Sequence, residues 1–413
     1  MTHKKADPAL LWDMLDAAKA IHSFVSGKTF YHYLDDRMLR GAVERHLEII
    51  GEAAKGVSKT FQKDHPEIPW HRIIAQRHVL AHEYGEIKQE LVWRVATLRI
   101  PELIEILEPL VPPLPPEEAQ NMSLKFDRFI GIDWSGAKDP RRRLQVAQCF
   151  PGTKVPQIQG SNGWQRKEVL DWLIHLNKTG ERIIAGFDFA FAYPYCDKES
   201  YFPSHPQSPK NVVALWGKID TICHDSHDFY GGPFYKTSDA IFVDYLHYPK
   251  RKGKRYEGRL RKTDASCKKI KGCNPASVFL CLGAQSVGIA SISGMRLLHY
   301  INSELKHNFL VWPFFSLDNS RSVIVEIFPR LFFNLADQRS PRGWENNNIV
   351  NKILRRFGSD DLPSNFNNKS KDKIDAIISA AAIRHLAANS DNWNPAGLTS
   401  CARAYEGWIF GVV

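Results

Sequence analysis

Residues 109–116 read Pro-Leu-Val-Pro-Pro-Leu-Pro-Pro, five prolines in eight positions. No helix continues through such a run, because each proline removes an N–H donor and clashes with the preceding turn. The segment is a stiff extended spacer, so the 413-residue chain divides in two. The expected organisation is a first domain over residues 1–108, a Pro-rich linker over 109–122 and a second domain over 123–413. Met122-Ser123 resembles the start of an independent protein, as if two ready-made chains had been joined end to end.

Before the linker every apolar pattern has helical spacing. Leu10, Leu11, Met14, Leu15, Ala18 and Ile21 form one stripe, and Leu39, Val43, Leu47, Ile50 and Ala54 a second. Residues 73–80 form a third segment behind Pro69 and Trp70. Residues 91–107 form a fourth, kinked or restarted at Pro101. Nothing alternates with a period of two, so this is an all-α bundle of four or five helices.

After the linker the period changes. Residues 128–134, 144–150, 183–191, 322–328 and 406–412 read as strands, and 166–177 and 371–388 as helices. Mixed strands and helices imply an α/β domain. Residues 195–320 read as an insertion or as an elaborated half of the core.

In the bundle, Arg77 and His82 lie five apart near a helix end, within about 140° of each other. Arg and His beside a phosphodiester suffice for metal-free RNA cleavage. The 2′-OH attacks, His transfers the proton and Arg stabilises the charged phosphorane. Spacing alone leaves open a surface His and a salt-bridged Arg. Arg, four residues, His, one residue, Tyr84 in an all-helical setting resembles the HepT branch of the HEPN superfamily. The likeness spans residues 9–108 and includes the stretches 40–45, 49–53 and 70–84. It implies an RNA-cleaving toxin that works as a homodimer with its motifs at the dimer interface. It further implies Arg77 and His82 as the catalytic pair, without a metal. Tyr84 would be the tyrosine that a separate nucleotidyltransferase antitoxin modifies. His78 departs from the family, which often has Asn there, and is either a substitute polar contact or a mark of altered activity.

The second domain carries carboxylates inside apolar runs: Asp133 in Gly-Ile-Asp-Trp, Asp188 in Gly-Phe-Asp-Phe and Glu326 in Ile-Val-Glu-Ile-Phe. Burying such groups is costly unless they are paired or bind a metal. Asp372 and Asp375 follow, three apart on one helix face, where they serve either as ligands or as helix-start charges. Clustered carboxylates hold Mg²⁺ or Mn²⁺, and two such ions assist phosphodiester hydrolysis. The arrangement resembles the RNase H-like superfamily, with the carboxylate pattern of RuvC-type resolvases. It is most similar to a family of predicted RNase H-like nucleases. The likeness lies in residues 131–133, Glu326 to Pro329, Lys371 to Ala376 and Glu406 to Ile409. It implies an RNase H-like mixed sheet, with Asp133, Asp188, Glu326 and Asp375 catalytic and these four with Asp372 as metal ligands. Glu406 reads as an exposed turn residue outside the site.

The net charge of +10 favours a polyanionic partner. Lys250, Arg251, Lys252, Lys254, Arg255, Arg259, Arg261 and Lys262 concentrate that charge among tyrosines and read as a nucleic-acid-binding stretch. Cys223, His224, His227, Cys267 and Cys273 fit no standard zinc spacing. The seven cysteines read as reduced thiols. With no apolar signal core and no run of roughly 20 apolar residues, the expectation is a cytoplasmic protein that does not enter a membrane. The combined expectation is a toxin or anti-phage effector nuclease acting on RNA, tRNA foremost, with DNA as a second candidate substrate. Two alternatives stand beside it. In one, the second domain is the sole nuclease and the bundle a dimerisation scaffold. In the other, the second domain is a non-catalytic sensor or binding module.

Overall fold

The computed structural model describes residues 7–82, 88–108, 110, 124–160, 162–236, 242–248, 251–282, 286–318, 320–338, 342–367 and 370–413. The chain separates into two compact units, Met1–Asn121 and Met122–Val413.

The first unit is helical: α1 (Asp7–Val25), α2 (Phe30–Asp35), α3 (Arg37–Gly56), α4 (Lys59–Asp64), α5 (Trp70–His82), α6 (Gln89–Arg94) and α7 (Ile100–Leu107). Thr29, Asp36 and Ser58 start α2, α3 and α4 by accepting a backbone N–H with a side-chain oxygen. The stripes anticipated on α1 and α3 meet in one core around Met14, Ala18, Ile21, Val43 and Ile50. Between α6 and α7 the backbone widens into a π turn, Val95–Arg99, and Pro101 sits in the first turn of α7. That is the restart anticipated at Pro101, since a proline is tolerated where N–H groups lack partners anyway.

The second unit is built on a six-stranded mixed sheet of order β3-β2-β1-β4-β8-β7. Its strands are β1 (Arg128–Asp133), β2 (Gln145–Cys149), β3 (Gln157–Gln159), β4 (Ile183–Phe187), β7 (Phe309–Val311) and β8 (Ser322–Glu326); a separate hairpin contributes β5 (His247–Tyr248) and β6 (Arg251–Lys252). β1, β4, β8 and β7 run parallel, whereas β2 is antiparallel to both β1 and β3. Alternate residues feed two apolar layers. Ile130, Ile132, Phe187 and Ile324 face the helices Arg166–Lys178, Val212–Ile222 and Val287–Glu304. Phe129, Ile184, Val323 and Val325 face the helices Pro329–Leu335, Asn347–Arg356 and Lys371–Leu386.

Of the two readings of residues 195–320, the elaborated half of the core is the one that fits, for Trp216, Ile292 and Met295 are wholly buried against the sheet and complete one of its two layers. Other expectations are corrected. The run 406–412 is not a strand. A π turn, Ala402–Glu406, precedes a single bridge from Ile409 to Glu326. Gly407, at φ +77°, turns the backbone there, and a strand does not start at such a residue. Nor are all cysteines reduced, for Cys196 and Cys401 form a disulfide. They are 205 residues apart in sequence, and the fold brings their Cα atoms to 5.9 Å.

The Lys371–Leu386 helix crosses β1 at Gly131, where a Cβ would overlap the Ala376 carbonyl and the Ala380 amide. Gly131→Ala therefore costs about 1–3 kcal/mol through overpacking, measurable by urea denaturation. An unchanged midpoint contradicts this packing.

Candidate functional sites

The first candidate site lies in the helical unit. Residues Arg45, Glu48, Ile49 and Glu52 follow one another on a face of α3 and, with Arg77 of α5, line a groove of about 370 Å³. Arg77 is partly buried and forms an ion pair through Nη2 with Oε2 of Glu52 at 3.0 Å. His82 is the last residue of α5. Tyr84 lies outside the described residues.

The second site follows from strand register. Ile132 pairs with Phe187 and Phe187 with Glu326, so parallel β1, β4 and β8 end side by side. Asp133, Asp188 and Glu326 thus gather at the carboxyl end of the sheet, the usual place for a ligand in an open α/β sheet. Side-chain alternation then divides them. Asp133 is in step with Gly131 and Asp188 with Gly186, and both glycines face the Lys371–Leu386 helix through Ala376 and Ile383. Glu326 is in step with Ile324 and faces the opposite layer. The helix brings Asp375 and, at its first turn, Asp372 toward the first pair.

A pocket of about 330 Å³ opens over Asp133 and Asp188, with Arg143, Lys371 and Asp372 around it. Burial pushes the Asp133 carboxyl well above the usual range, and the neighbouring charges of Asp375, Asp188 and Asp372 push it further. Burial, reinforced by Asp375, brings Asp188 up to about 7, even though Asp133 donates it a hydrogen bond. Asp372 and Asp375 are also raised, chiefly by burial, with Lys371 opposing. Lys371 pairs directly with Asp375. Burial would lower the Lys371 ammonium, but Asp375, Asp133 and Asp188 outweigh it and the group is held up.

Glu326 has other partners. Its carboxylate accepts from both terminal nitrogens of Arg261 at 2.7 and 2.5 Å and from the Phe191 amide at 2.9 Å. Arg261 also meets Asp264 at 2.9 and 3.0 Å. All three are almost fully buried, yet all three also line the pocket over Asp133 and Asp188, so Glu326 stands at the acidic site with its charge already met by Arg261. Glu406 is corrected in the other direction. It is 1% exposed and accepts the amides of Tyr195, Cys196 and Lys262 at 2.7, 2.8 and 2.6 Å.

The basic stretch is corrected too. Arg259 is buried against Asp197 and the carbonyls of Pro194, Ser200 and Tyr201. Arg261 is the triad's centre, and Arg251 pairs with Asp244. Asp197 and Glu326 reach Arg259 and Arg261 from distant segments, whereas Asp244 meets Arg251 from nearby in the chain. Lys252, Lys254 and Arg255 remain on the surface, and Lys254 and Arg255 line a cleft of about 450 Å³ with Tyr245 and Lys198. The Lys262 amide is tied to Glu406, and Lys250 lies outside the described residues.

Oxygen donors gathered at mutual repulsion suit a hard cation. Asp133, Asp188 and Asp375 are the residues that would hold one. Among the described residues no three ligand-type side chains converge into a ready-made cage, and Asp375 is paired with Lys371. Lys371 and Arg143 were missed by sequence reasoning; the Lys directly before Asp372 was the visible signal for the first.

The family model described as Ribonuclease HepT-like matches residues 14–110. A candidate RNase of Methanocaldococcus jannaschii is 32% identical over 119 residues, 29% of this chain and 98% of that protein. A Thermococcus cleftensis protein named for the ribonuclease HepT is 35% identical over 100 residues, 24% of this chain and 91% of that protein. A further M. jannaschii protein, whose name joins gamma-glutamylcyclotransferase to a candidate RNase, is 31% identical over 101 residues, 24% of this chain and 46% of that protein. No solved structure matches the chain.

Two outcomes follow from the acidic pocket and the triad. The folded pKa of Asp188 lies above its ordinary value near 4, so its protonation stabilises the fold fully below about pH 4. That contribution is lost as pH rises toward about 7. Asp188→Asn therefore flattens the fall in Tm across this window and raises Tm at pH 8; an unchanged profile contradicts the assignment. Arg261→Met leaves Glu326 and Asp264 buried without their cation and costs about 3–5 kcal/mol, read from denaturant midpoints.

Proposed function

Through its helical unit the chain belongs to the HepT-like ribonucleases, and from that premise we propose that Arg77 and His82 cleave RNA without metal while the second unit performs a metal-assisted phosphodiester chemistry. The chain is an endoribonuclease. In the proposed reaction His82 takes the proton from a ribose 2′-OH and returns one to the leaving oxygen, and Arg77 stabilises charge on the phosphorane. What supports this is the placement of both residues on α5, with the Arg77 guanidinium at a groove open to solvent. RNA is the substrate class, tRNA its favoured member, and the setting a toxin or anti-phage effector. A homodimer through the helical unit and a separate antitoxin acting on Tyr84 complete the reading. The chain has no helix among its described residues long and apolar enough to cross a membrane.

For the second unit the reading is an RNase H-like nuclease. Its support is a sheet whose second strand is antiparallel to an otherwise parallel centre, with carboxylates at the ends of β1 and β4 and on the helix over them. Asp133, Asp188 and Asp375 would hold Mg²⁺ or Mn²⁺, which when bound supplies water activation and charge neutralisation at the scissile phosphate. Arg143 and Lys371 bring positive charge to the same pocket for an anionic backbone. The surface cleft with Lys254 and Arg255 offers a further nucleic-acid contact. One observation favours a non-catalytic binding role instead: Lys371 and Arg261 already meet part of the acidic charge.

Cleavage of labelled tRNA and DNA by the full chain separates these readings. The proposal expects RNA cleavage that survives EDTA and is lost in His82→Ala. It also expects a second cleavage that needs Mg²⁺ or Mn²⁺ and is lost in Asp133→Asn. RNA cleavage abolished by EDTA and indifferent to His82→Ala would make the bundle a scaffold. Absence of any metal-dependent cleavage would leave the second unit as a binding module.

A further inference from the structure

Two adjacent residues of α3 act on one residue of α5. At Gly51 a Cβ would overlap Cβ of Arg77, so the helices approach this closely only because position 51 has no side chain. At the next residue, Glu52 receives the Arg77 guanidinium on Oε2 at 3.0 Å. The first contact fixes where the Arg77 backbone stands, and the second fixes where its side chain points. We propose that Gly51 and Glu52 are positioning residues for Arg77 in RNA cleavage, a proposal that rests on the catalytic role of Arg77 advanced above.

The geometry suits this task. A guanidinium offers five N–H donors in a rigid plane. Glu52 engages Nη2 at one corner of that plane, and a phosphate oxygen would be met by the other donors. An unrestrained Arg side chain spreads over many rotamers, and a catalytic group misplaced by about 1 Å loses on the order of a hundredfold in rate. Glu52 is 60% exposed and Arg77 28%, so the pair adds little to stability. Its value is orientation. That separates the two residues: Gly51 is needed for the helix crossing itself, and Glu52 for the direction of one side chain.

The test is steady-state cleavage of a labelled RNA in EDTA by the full chain, with Tm measured for each variant. Glu52→Ala should lower kcat between about tenfold and a hundredfold with KM within about twofold and Tm unchanged. Glu52→Gln, which keeps an oxygen at the same reach from the guanidinium, should recover part of the loss. Added to Arg77→Ala, Glu52→Ala should cost nothing further, because both act through one group. Gly51→Ala should lower kcat and Tm together. Glu102→Ala, which removes the exposed partner of Arg99 on α7, serves as the control and should leave both unchanged. Wild-type kcat in Glu52→Ala, a gain in rate, or a loss that persists equally in the Arg77→Ala background would overturn the proposal. Full activity in Arg77→Ala would overturn the catalytic reading beneath it as well.

Discussion

Parallel strands that end side by side in carboxylates set the terms for the second unit. Buried side by side, the carboxylates repel one another, and protons, cations or fold changes must answer that repulsion. The chain answers it in two ways around one pocket. Arg261 closes over Glu326 and Asp264 in a buried triad. Asp133 and Asp188 stand at the same pocket with raised carboxyl groups, and Lys371 pairs with Asp375. The first arrangement is complete within the protein. The second is left with charge to be met, as expected where stability has been traded for a site.

The Glu326 assignment shows how far sequence could go. A carboxylate in an apolar run announces that it needs a partner, and all three such residues were visible. Which partner each one finds depends on register and on side-chain alternation. Counting from Gly131 to Asp133 and from Ile324 to Glu326 places them on opposite faces only once the strands are aligned. The bundle was more legible because its apolar stripes and Pro101 are local signals. Arg259 and Arg261 misled for the converse reason. A run of positive charge looks solvated until Asp197 and Glu326 arrive from distant segments. Glu406 likewise needed the folded turn around Tyr195 to reveal three amide donors.

On the proposed reading the two units bring different chemistry to phosphodiesters. Arg and His need no ion and depend on orientation, which is why a glycine and an exposed glutamate on α3 matter to Arg77. Carboxylates depend on an ion and tolerate a looser frame, provided that they stay deprotonated once it binds. A chain with both would answer differently to chelation, to pH and to substitution at each site.

The central claim for the second unit is that its acidic pocket calls for a cation, and binding of Mn²⁺ to the full chain tests it most directly. Titration calorimetry on metal-free protein should show saturable binding that survives Arg77→Ala and disappears in Asp133→Asn. Binding that is absent from the wild type, or undiminished in Asp133→Asn, would contradict the account.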